Sequence, residues 1–553
     1  MNTELVLTTV LLGGLAGLLP RIKRRLELSR AKHRSLAGHA RIARRLAAQI
    51  PAVHYRDQTF FGADGADATV IARRQRAIDR LERTFLERFP KGIEATLEAR
   101  EHLPDLRFTG RYRVPFQFSE FLGEHLKLSS FIQSSDGIWL TDLDGNRLID
   151  LTGSYGVNLM GNEFYKRCIA EAVVEASSVG TVLGLYHPVV LDNVRRLTAL
   201  SGLDDISFHM SGTEAVMQAV RLARYHTGRS HVVRFCGAYH GWWDDVQPGP
   251  GNPLKPGQVY TLEDMEARSL KVLRTRKDIA CVLINPLQAL HPNSPAPGDS
   301  SLVDSSRRAG FDRESYTQWL VQLRQVCTER GIALIFDEVF MGFRLAPGGA
   351  QEYFGVQADL VTYGKTLGGG LPVGVVCGRR AFMERFRSDR PLDICFARGT
   401  FNSHPYVMAA MNAFLRALES PEYQKLYDGL DARWIARANE FNKALSNSSL
   451  PVRVANLSSV FTVLYDQPAR FNWMLQFYLR EAGLALSWVG SGRMIFSLDF
   501  TDDEFAEVIR RFVEAGQKMK ADGWWDGPRE ENRQIRRSML REFIRTRLGR
   551  SAA

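Results

Sequence analysis

The chain has 553 residues, of which 45% are hydrophobic and 24% are charged, a composition typical of folded globular proteins rather than disordered or fibrous ones. This length exceeds that of a single domain, so we expect one large domain, one smaller domain and extensions. The formal net charge of +11 lies at the chain ends, because residues 1–50 hold ten Lys or Arg against two acids and residues 521–553 hold eight Arg against five acids. The neutral central chain therefore gives no indication of the substrate's charge.

The first 25 residues have the pattern of a short membrane anchor. An uncharged apolar run over 5–19 is followed by a basic stretch over 21–25. Fifteen helical residues rise only about 22 Å, less than the roughly 30 Å of a hydrocarbon core, so a shallow or re-entrant anchor fits the length. The positive charges follow the run, which disfavours a signal peptide and predicts a cytoplasmic protein bound to the inner face of a membrane. A buried helix packed on a partner subunit is the alternative.

Two further segments flank the central chain and carry no catalytic motif. Residues 26–104 are rich in Ala, Arg, Leu and Glu, which predicts a helical extension. Residues 521–553 form a basic tail whose apolar residues have the spacing of an amphipathic helix, at Ile535, Met539, Leu540, Phe543, Ile544 and Leu548. Docking on a membrane surface or a subunit is favoured over a nucleic-acid arm, because no basic motif interleaved with aromatics accompanies the tail.

The six cysteines are scattered, without a CxxC pair or a Cys/His spacing that binds zinc. Reduced thiols in a cytoplasmic protein are the favoured interpretation. We therefore expect neither disulfides nor a metal site.

Between residues 136 and 500, short β-branched apolar runs alternate with longer helical stretches. Four such runs are HVVRF (231–235), ACVLI (280–284), IALIF (332–336) and ADLVTY (358–363). The alternation predicts an α/β architecture with a largely parallel sheet. Ligands of such sheets lie beyond the carboxyl ends of the strands, so polar residues that follow these runs are candidate site residues.

Asp337 and Lys365 each follow one of these runs. A carboxylate at a buried strand end needs a cationic partner, although capping the next turn is an equally good role for Asp337 alone. Three glycines over 368–370 would let a cofactor approach Lys365 closely, and partial burial would lower its pKa toward Schiff-base chemistry. A solvated loop lysine is the alternative, and the shared strand-end placement favours a site.

Two other motifs have positions that fit the same site. Ser211-Gly-Thr-Glu-Ala215 opens a predicted helix, where small residues present backbone N–H groups and a favourable dipole to an anion such as phosphate. Ordinary N-capping by Ser211 or Thr213 is the alternative. The segment Tyr239-His-Gly-Trp-Trp243 offers an aromatic ring to stack on a cofactor, or else belongs to a core cluster.

The segment over 337–386, DEVFMGFRLAPGGAQEYFGVQADLVTYGKTLGGGLPVGVVCGRRAFMERF, resembles class III, fold-type I, pyridoxal-phosphate (PLP) dependent aminotransferases. It is most similar to the glutamate-1-semialdehyde aminomutase branch. The likeness covers roughly residues 105–520 and includes the segments at 142–162, 211–215, 239–244 and 399–410.

The resemblance implies the fold-type I PLP-dependent transferase fold, which is α/β. A large PLP-binding domain with a mostly parallel sheet would cover residues 171–415. A smaller α+β domain would be built from residues 105–170 and 416–520. The cofactor would be pyridoxal 5'-phosphate.

The resemblance also implies roles for individual residues around the cofactor ring. Lys365 would hold PLP through a Schiff base and then move the proton between substrate carbon and cofactor. Asp337 would pair with the pyridinium nitrogen. Val339 would pack against one face of the ring, and Tyr239 would stack on the other.

Phosphate binding would fall to Gly212 and Thr213, with Thr400 reaching the phosphate from the neighbouring subunit. That last role implies a homodimer with composite sites. Tyr155 lies where the family lines its substrate pocket. The glycine-rich segment over 246–257 occupies the place of the mobile gate over the aminomutase site.

The sequence departs from the family pattern at several places. Met210 replaces the usual Asn before SGTEA, and Asn285-Pro286 replaces the usual Glu-Pro, with Gln288 following. About twenty extra residues lie over 291–312, and the N-terminal segment is foreign to the soluble aminomutase. Arg344 and Arg493 are the nearby candidates for binding a substrate carboxylate.

These patterns predict a PLP-dependent aminotransferase that moves an amino group from an amine donor to a carbonyl acceptor. The anchor-like N-terminus favours an amphiphilic acceptor, an aldehyde or ketone of lipid or polyketide type. An aminomutase is the first alternative, because the gate-like loop supports it. A non-catalytic scaffold with the PLP fold is the second, and intact Lys365 and Asp337 argue against it.

Overall fold

The computed structural model describes residues 19–247, 249, 251–254, 257–293, 307–487 and 492–549. The predicted anchor therefore lies outside the described residues up to residue 18, and so does most of the 291–312 insertion. Within the described ranges, no helix is long and apolar enough to cross a membrane.

The N-terminal part of the chain is helical and packs on the rest of the protein through amphipathic faces. In the longest of its helices, Ile78, Leu81 and Phe85 are buried at helical spacing, and Asp67 caps the first turn by accepting the N–H groups of Thr69 and Val70. The helices are α1 over 19–31, α2 (Ala40–Ala47), α3 (Asp57–Phe61), α4 (Ala68–Arg88), α5 (Pro90–His102), α6 (Pro104–Tyr112) and α7 (Ser119–His125).

Three short antiparallel strands follow the helical part, within the segment predicted to begin a smaller domain. They are β1 (Ile132–Asp136), β2 (Trp139–Asp142) and β3 (Arg147–Asp150). A strand from the C-terminal part of the chain, Leu484–Ala485, pairs in parallel with β3. This four-stranded sheet therefore combines segments that come before and after the central part of the chain.

A seven-stranded, mostly parallel sheet forms the centre of the molecule, in the order β4-β10-β9-β8-β7-β5-β6. Each of the four predicted apolar runs contributes one strand to it. β10 is antiparallel to both of its neighbours, whereas the other described pairings are parallel. The strands are β4 (Asp205–His209), β5 (His231–Phe235), β6 (Val259–Leu262), β7 (Ile279–Ile284), β8 (Ala333–Asp337), β9 (Leu360–Gly364) and β10 (Gly374–Gly378).

This sheet brings distant segments together at one edge. β5, β7, β8 and β9 run in the same direction, so the residues that follow them, including Asn285 after β7 and Lys365 after β9, emerge at the same side. Strands β8 and β9 are neighbours, and Asp337 pairs in register with Thr362. The carboxyl ends of these strands therefore lie together, as the sequence predicts.

Helices cover the central sheet, and a short hairpin projects from it. The hairpin strands are β11 (Phe386–Arg387) and β12 (Arg390–Ile394). The helices are α8 (Asn162–Ala176), α9 (Val189–Ser201), α10 (Gly212–Thr227), α11 (Ala267–Thr275), α12 (Arg313–Arg330), α13 (Gly349–Phe354), α14 (Arg380–Met383), α15 (Pro405–Leu418) and α16 (Pro421–Gln424).

The C-terminal part of the chain contains a three-stranded antiparallel sheet in the order β13-β14-β16. Its strands are β13 (Val452–Leu457), β14 (Val460–Tyr465) and β16 (Arg493–Ile495), and β15 is the Leu484–Ala485 strand already described. The helices are α17 (Leu430–Asn447), α18 (Leu475–Glu481), α19 (Asp502–Ala521) and α20 (Asn532–Arg547).

The basic tail forms the predicted amphipathic helix, α20, and one of its faces docks on the chain's own N-terminal extension. Ile535 is fully buried. The ring of Phe543 stacks on that of Phe116 with 5.9 Å between centroids, and Tyr55 donates a hydrogen bond to Glu542. Tail and extension therefore stabilise each other within one chain, while Leu540 remains exposed on the other face.

Candidate active site

The carboxylate of Asp337 lies at the carboxyl end of β8 and is buried, with 2% exposure. Its Oδ2 atom lies 2.7 Å from Nδ1 of His240. Its Oδ1 atom accepts the backbone N–H of Val339 at 3.1 Å. A buried carboxylate that is fixed by hydrogen bonds can present its charge to a ligand in a defined direction.

His240 is the functional residue that sequence reasoning missed, although it lies inside the YHG motif. It is buried, and this burial lowers the pKa of His240, while Asp337 acts in the opposite direction. Its Nε2 atom is buried without a hydrogen-bond partner among the described residues. Nδ1 thus faces Asp337, and Nε2, on the opposite side of the ring, is left for a partner that the described residues do not supply.

Lys365 follows β9 directly and adopts a left-handed backbone conformation with φ of +48°. Burial lowers the pKa of Lys365 to about 8, the nearby charge of Asp337 opposes this, and the charges of Arg344 and Arg493 add to it. The ammonium nitrogen lies 4.5 Å from the centroid of the Phe340 ring. A partly buried lysine with a lowered pKa, held in a strained conformation, has the features of a reactive amine.

Glycines allow close packing between the segments that carry these side chains. A methyl group on Gly212 would lie 2.5 Å from Cγ1 of Val339, and one on Gly364 would lie 3.3 Å from the same atom. Val339 is thus held between the start of α10 and the end of β9. A methyl group on Gly156 would lie 2.8 Å from the Phe340 ring and 3.4 Å from Cδ of Lys365.

The start of α10 has the geometry of an anion site. Ser211 caps the helix by accepting the N–H of Glu214 at 3.2 Å, while Glu214 accepts the N–H of Met210 at 3.0 Å. The N–H groups of Gly212 and Thr213 belong to the first turn, where no intrahelical acceptor exists. A methyl group on Gly241 would lie 2.6 Å from Oγ1 of Thr213, so the YHG loop packs directly against this helix end.

Asn285 and Gln288 hold the YHG loop in place. The Asn285 amide donates to the carbonyl oxygen of Tyr239 at 3.2 Å, and the Gln288 amide donates to that of Cys236 at 2.6 Å. The departure from Glu-Pro therefore replaces a carboxylate by an amide that positions the loop. The Tyr239 side chain is 63% exposed, so its ring is available to a ligand.

Tyr155 lies on a strained turn beside Lys365. Ser154 and Tyr155 both have positive φ angles, of +46° and +56°, which are costly for residues other than glycine. Tyr155 is 47% exposed, and the adjacent Gly156 packs on Phe340 and Lys365. Its role in a substrate pocket remains a prediction that this placement permits.

Thr400 lies on an exposed loop between β12 and α15, as a residue that serves a neighbouring subunit would. The predicted gate over 246–257 is described in part, and its Asn252 donates to the carbonyl oxygen of Asp244 at 2.7 Å. The roles of both remain predictions.

Of the two candidate arginines, Arg344 has a structural role. It is buried with 1% exposure and donates to Ser459 Oγ at 2.5 Å and to the carbonyl oxygen of Phe496 at 2.7 Å. Its other terminal nitrogen donates to the carbonyl oxygen of Asn158 at 3.4 Å. Arg493, at the start of β16, is partly buried, and burial lowers its pKa to about 10, with the charge of Arg307 acting in the same direction.

The arrangement fits the cofactor that the resemblance implies. An amine with a lowered pKa, a buried carboxylate fixed by a histidine, and a helix N-terminus all converge at one sheet edge. A ring with a phosphate arm and a protonatable nitrogen matches this set of donors and acceptors in chemistry. Because the glycines carry no side chain, the surrounding backbone can approach such a ring closely.

A family model described as Aminotransferase class-III matches residues 123–245 and 303–515, more than half of the chain. The chain belongs to the class III aminotransferases. It is 36% identical over 400 residues to a protein named glutamate-1-semialdehyde 2,1-aminomutase from Nitratidesulfovibrio vulgaris (strain Hildenborough), and the match covers 68% of this chain and 90% of that relative.

Solved structures agree with this membership of the class III aminotransferases. A transaminase with bound PLP is 29% identical, with a TM-score of 0.58 and coverage of 71% of this chain and 92% of that one. The β-phenylalanine aminotransferase from Variovorax paradoxus is 24% identical, with a TM-score of 0.64 and coverage of 83% and 100%; this second likeness shows the fold. The predicted fold, enzyme class and cofactor are confirmed: the chain is a PLP-dependent class III enzyme.

Proposed function

We propose that this class III enzyme transfers an amino group from an amine donor to a carbonyl acceptor, with PLP held on Lys365. The observation that carries the proposal is the partly buried Lys365, whose pKa is lowered to about 8, at the same sheet edge as the hydrogen-bonded carboxylate of Asp337. Both groups serve amine chemistry on PLP.

The residues that would hold the cofactor follow from the site. Gly212 and Thr213 would bind the phosphate through their free N–H groups, and Asp337 would pair with the ring nitrogen. Val339 and Tyr239 would contact the two faces of the ring. When bound, PLP supplies the electron sink that stabilises negative charge on the substrate carbon.

Two side chains of the protein would prepare and move protons. With a pKa of about 8, Lys365 is neutral in about a tenth of molecules at pH 7 and can accept a proton from the substrate carbon at its Nζ. His240 would hold the Asp337 carboxylate in one orientation through the 2.7 Å contact. The negative charge of the carboxylate would then stay directed at the protonated ring nitrogen. The half-buried site around Phe340 would limit access of water to this amine.

The experiment that tests the proposal is a screen of amine donors against the PLP-loaded enzyme, followed by carbonyl acceptors. A donor should shift the visible absorbance of the cofactor, and an acceptor should restore it. A cofactor that binds but whose spectrum no donor in a broad panel changes would contradict the assignment.

For the acceptor we propose an amphiphilic aldehyde or ketone, presented to a cytoplasmic enzyme at the inner face of a membrane. The support is the uncharged run over 5–19 and the basic stretch that follows it, which together fit a shallow anchor. Long-chain acceptors should have a higher kcat/KM than short-chain ones in detergent or vesicles. Equal values for both would remove this part of the proposal.

We also propose that the enzyme is a homodimer with composite sites. Two loops that lie close together expose large apolar side chains: Leu185 is 75% exposed and Phe396 is 65% exposed. The loops are neighbours, because a methyl group on Gly184 would lie 3.8 Å from Nη2 of Arg398. An exposed apolar surface of this kind fits a second copy, which would then supply Thr400.

An aminomutase is the second candidate, because a relative at 36% identity carries that name. An aminomutase moves the amino group within one substrate and needs no separate donor. Glutamate-1-semialdehyde supplied alone to the enzyme in its aminated cofactor form would be converted to an isomeric product. Strict dependence of product formation on a second amine would favour the aminotransferase.

A further inference from the structure

Thr366, the residue after Lys365, joins the turn of the lysine to helix α8. It is buried, with 3% exposure, in the single turn Lys365–Gly368. Its hydroxyl shares a hydrogen bond with the hydroxyl of Tyr165, in which either group can donate. A methyl group on Gly370 would lie 3.3 Å from Cβ of Tyr165. Tyr165 therefore contacts the segment after the lysine at two places, through its hydroxyl and through its Cβ.

The Tyr165 hydroxyl also binds the segment that follows the strained turn over 153–156. It accepts the backbone N–H of Leu159 at 3.1 Å. The preceding N–H, of Asn158, donates to the carbonyl oxygen of Gly153 at 3.1 Å, so this segment is fixed to the strained turn. The hydroxyl is thus a junction between two turns, and both of these turns contact or contain the lysine.

The proton of the Tyr165 hydroxyl stays in place at physiological pH, because burial raises the pKa of Tyr165 to about 12. The charge of Arg344 opposes this rise and also helps to lower the pKa of Lys365, so the three groups lie close together. A neutral hydroxyl has one proton and two lone pairs. It can therefore bind the N–H of Leu159 and the hydroxyl of Thr366 at the same time.

The left-handed backbone of Lys365, with φ of +48°, needs support of this kind. Such a conformation is costly for a residue with a side chain and persists only where neighbouring contacts fix it. Because Thr366 follows Lys365 directly, a bond that holds Thr366 in place also limits rotation of the lysine backbone. Loss of the bond would let the turn relax and admit water to the amine.

We propose that Tyr165 and Thr366 are a positioning pair, which fixes the turn of Lys365 against the turn over 153–156 and keeps the amine directed at the cofactor aldehyde. The inference rests on the proposed function, because Lys365 must be the amine that binds PLP. Both residues act through Lys365 and not on the substrate. Their removal should therefore change the reactivity of the amine itself.

The test measures capture of PLP by the apoenzyme, as the rate at which the visible band of bound cofactor appears between pH 6 and pH 10. Capture by Lys365→Ala gives the background. Tyr165→Phe removes one hydroxyl and keeps the ring. Thr366→Val removes the other and keeps a branched side chain, whereas Thr366→Ser keeps the hydroxyl.

Tyr260→Phe is the matched control, because it removes a hydroxyl from a tyrosine of similar burial. Tyr260 is 8% exposed and Tyr165 is 7% exposed. The Tyr260 hydroxyl donates to Asp278 at 2.8 Å. Tyr260 lies on the edge strand β6, which is four strands away from β9 in the central sheet.

At pH 7, Tyr165→Phe and Thr366→Val should each slow capture about threefold to tenfold, the range for loss of one hydrogen bond. The loss should nearly vanish at pH 10, where the amine is neutral in every variant, so the midpoint of the pH profile should rise by about 0.5 to 1. The double variant should lose no more than the slower single variant, because both changes remove the same bond. Thr366→Ser and Tyr260→Phe should behave as native.

Native capture rates and midpoints in both Tyr165→Phe and Thr366→Val would overturn the positioning pair and leave the proposed function intact. A loss that is equal at every pH, or that Tyr260→Phe shares, would also overturn it, because general destabilisation would then be the cause. If one variant does not fold, the other removes the same bond and gives the same test. Failure of the native apoenzyme to capture PLP above the Lys365→Ala background would contradict the proposed function itself.

Discussion

At the scale of single residues, the site depends on charges that the fold holds in unusual environments. Lys365 is partly buried and has a lowered pKa, while His240 and a backbone N–H hold the buried carboxylate of Asp337 in place. The sequence predicted both residues from their positions after strands. It did not predict the His240 contact, because 97 residues separate the two side chains along the chain and only the pairing order of the strands brings them together.

Replacing Asp337 by Asn should reduce kcat by about two hundredfold to five thousandfold. Removing one charge from a buried pair costs about 3–5 kcal/mol, and each 1.36 kcal/mol corresponds to a factor of ten in rate. Steady-state kinetics with the best donor measures this loss. Asp466→Asn, at a carboxylate that is about half exposed, is the control and should keep its activity. A kcat in Asp337→Asn within threefold of the native value would contradict the assigned role.

The lowered pKa of Lys365 predicts the pH dependence of the proton-transfer step. Because the amine must be neutral to accept a proton, the rate should rise with pH and level off above about 8. An unperturbed lysine, with a pKa near 10.4, would give a rate that still rises at pH 9. The pH profile of kcat, or the deuterium isotope effect on it, checks this expectation. A midpoint above pH 10 would show that the amine is not buried as described.

At the scale of secondary-structure elements, the site is the meeting point of one helix start and several strand ends. The β-branched runs predicted the four strands well, because buried parallel strands need continuous apolar sequence. The antiparallel direction of β10 could not be predicted from its own residues, since direction depends on which neighbours the strand pairs with. The roles of Asn285 and Gln288 in holding the YHG loop could not be predicted from the sequence either, because the atoms that accept their hydrogen bonds are backbone carbonyl oxygens of another segment.

Gly212 tests how tightly these elements pack. In Gly212→Ala the added methyl group would lie 2.5 Å from Cγ1 of Val339. The start of α10 and the segment after β8 must therefore move apart, which would cost about 1–3 kcal/mol of free energy. We expect the dissociation constant for PLP, titrated into the apoenzyme, to rise about tenfold or more. Gly123→Ala is the control, because nothing lies within 4 Å of a methyl group there. Native affinity in Gly212→Ala would show that this contact does not position the phosphate site.

At the scale of the whole molecule, the catalytic core is enclosed by parts that the family pattern lacks. The helical nature of the extension and of the tail was predicted from composition and spacing. Their contact with each other was not, because it joins residues such as Tyr55 and Glu542 that are 487 positions apart. The sequence equally left open whether the amphipathic tail docks on another subunit or on its own chain. Packing between distant segments decides such questions, and the local sequence pattern of one segment does not show which other segment it contacts.

The proposed dimer makes a prediction at this scale. Leu185→Asp places a charge on the exposed apolar surface next to the loop of Phe396, so the mass in solution should fall toward that of one chain of 62.4 kDa. Activity should fall with it, because Thr400 would no longer complete a neighbouring site. Light scattering coupled to size-exclusion chromatography measures the mass. Leu540→Asp, on the exposed face of α20, is the control and should leave the dimer intact, and an active monomer would contradict the composite site.

The central claim is that Lys365 carries the cofactor, and absorbance spectroscopy of Lys365→Ala tests it most directly. The native enzyme should show a visible PLP band that survives removal of free cofactor and shifts when an amine donor is added. Lys365→Ala should lose this band and at least about a thousandfold in kcat, since no other amine replaces the nucleophile, whereas Lys271→Ala, at an exposed ion pair with Glu27, should behave as native. A Lys365→Ala enzyme that keeps a stable, amine-responsive visible band would contradict the account.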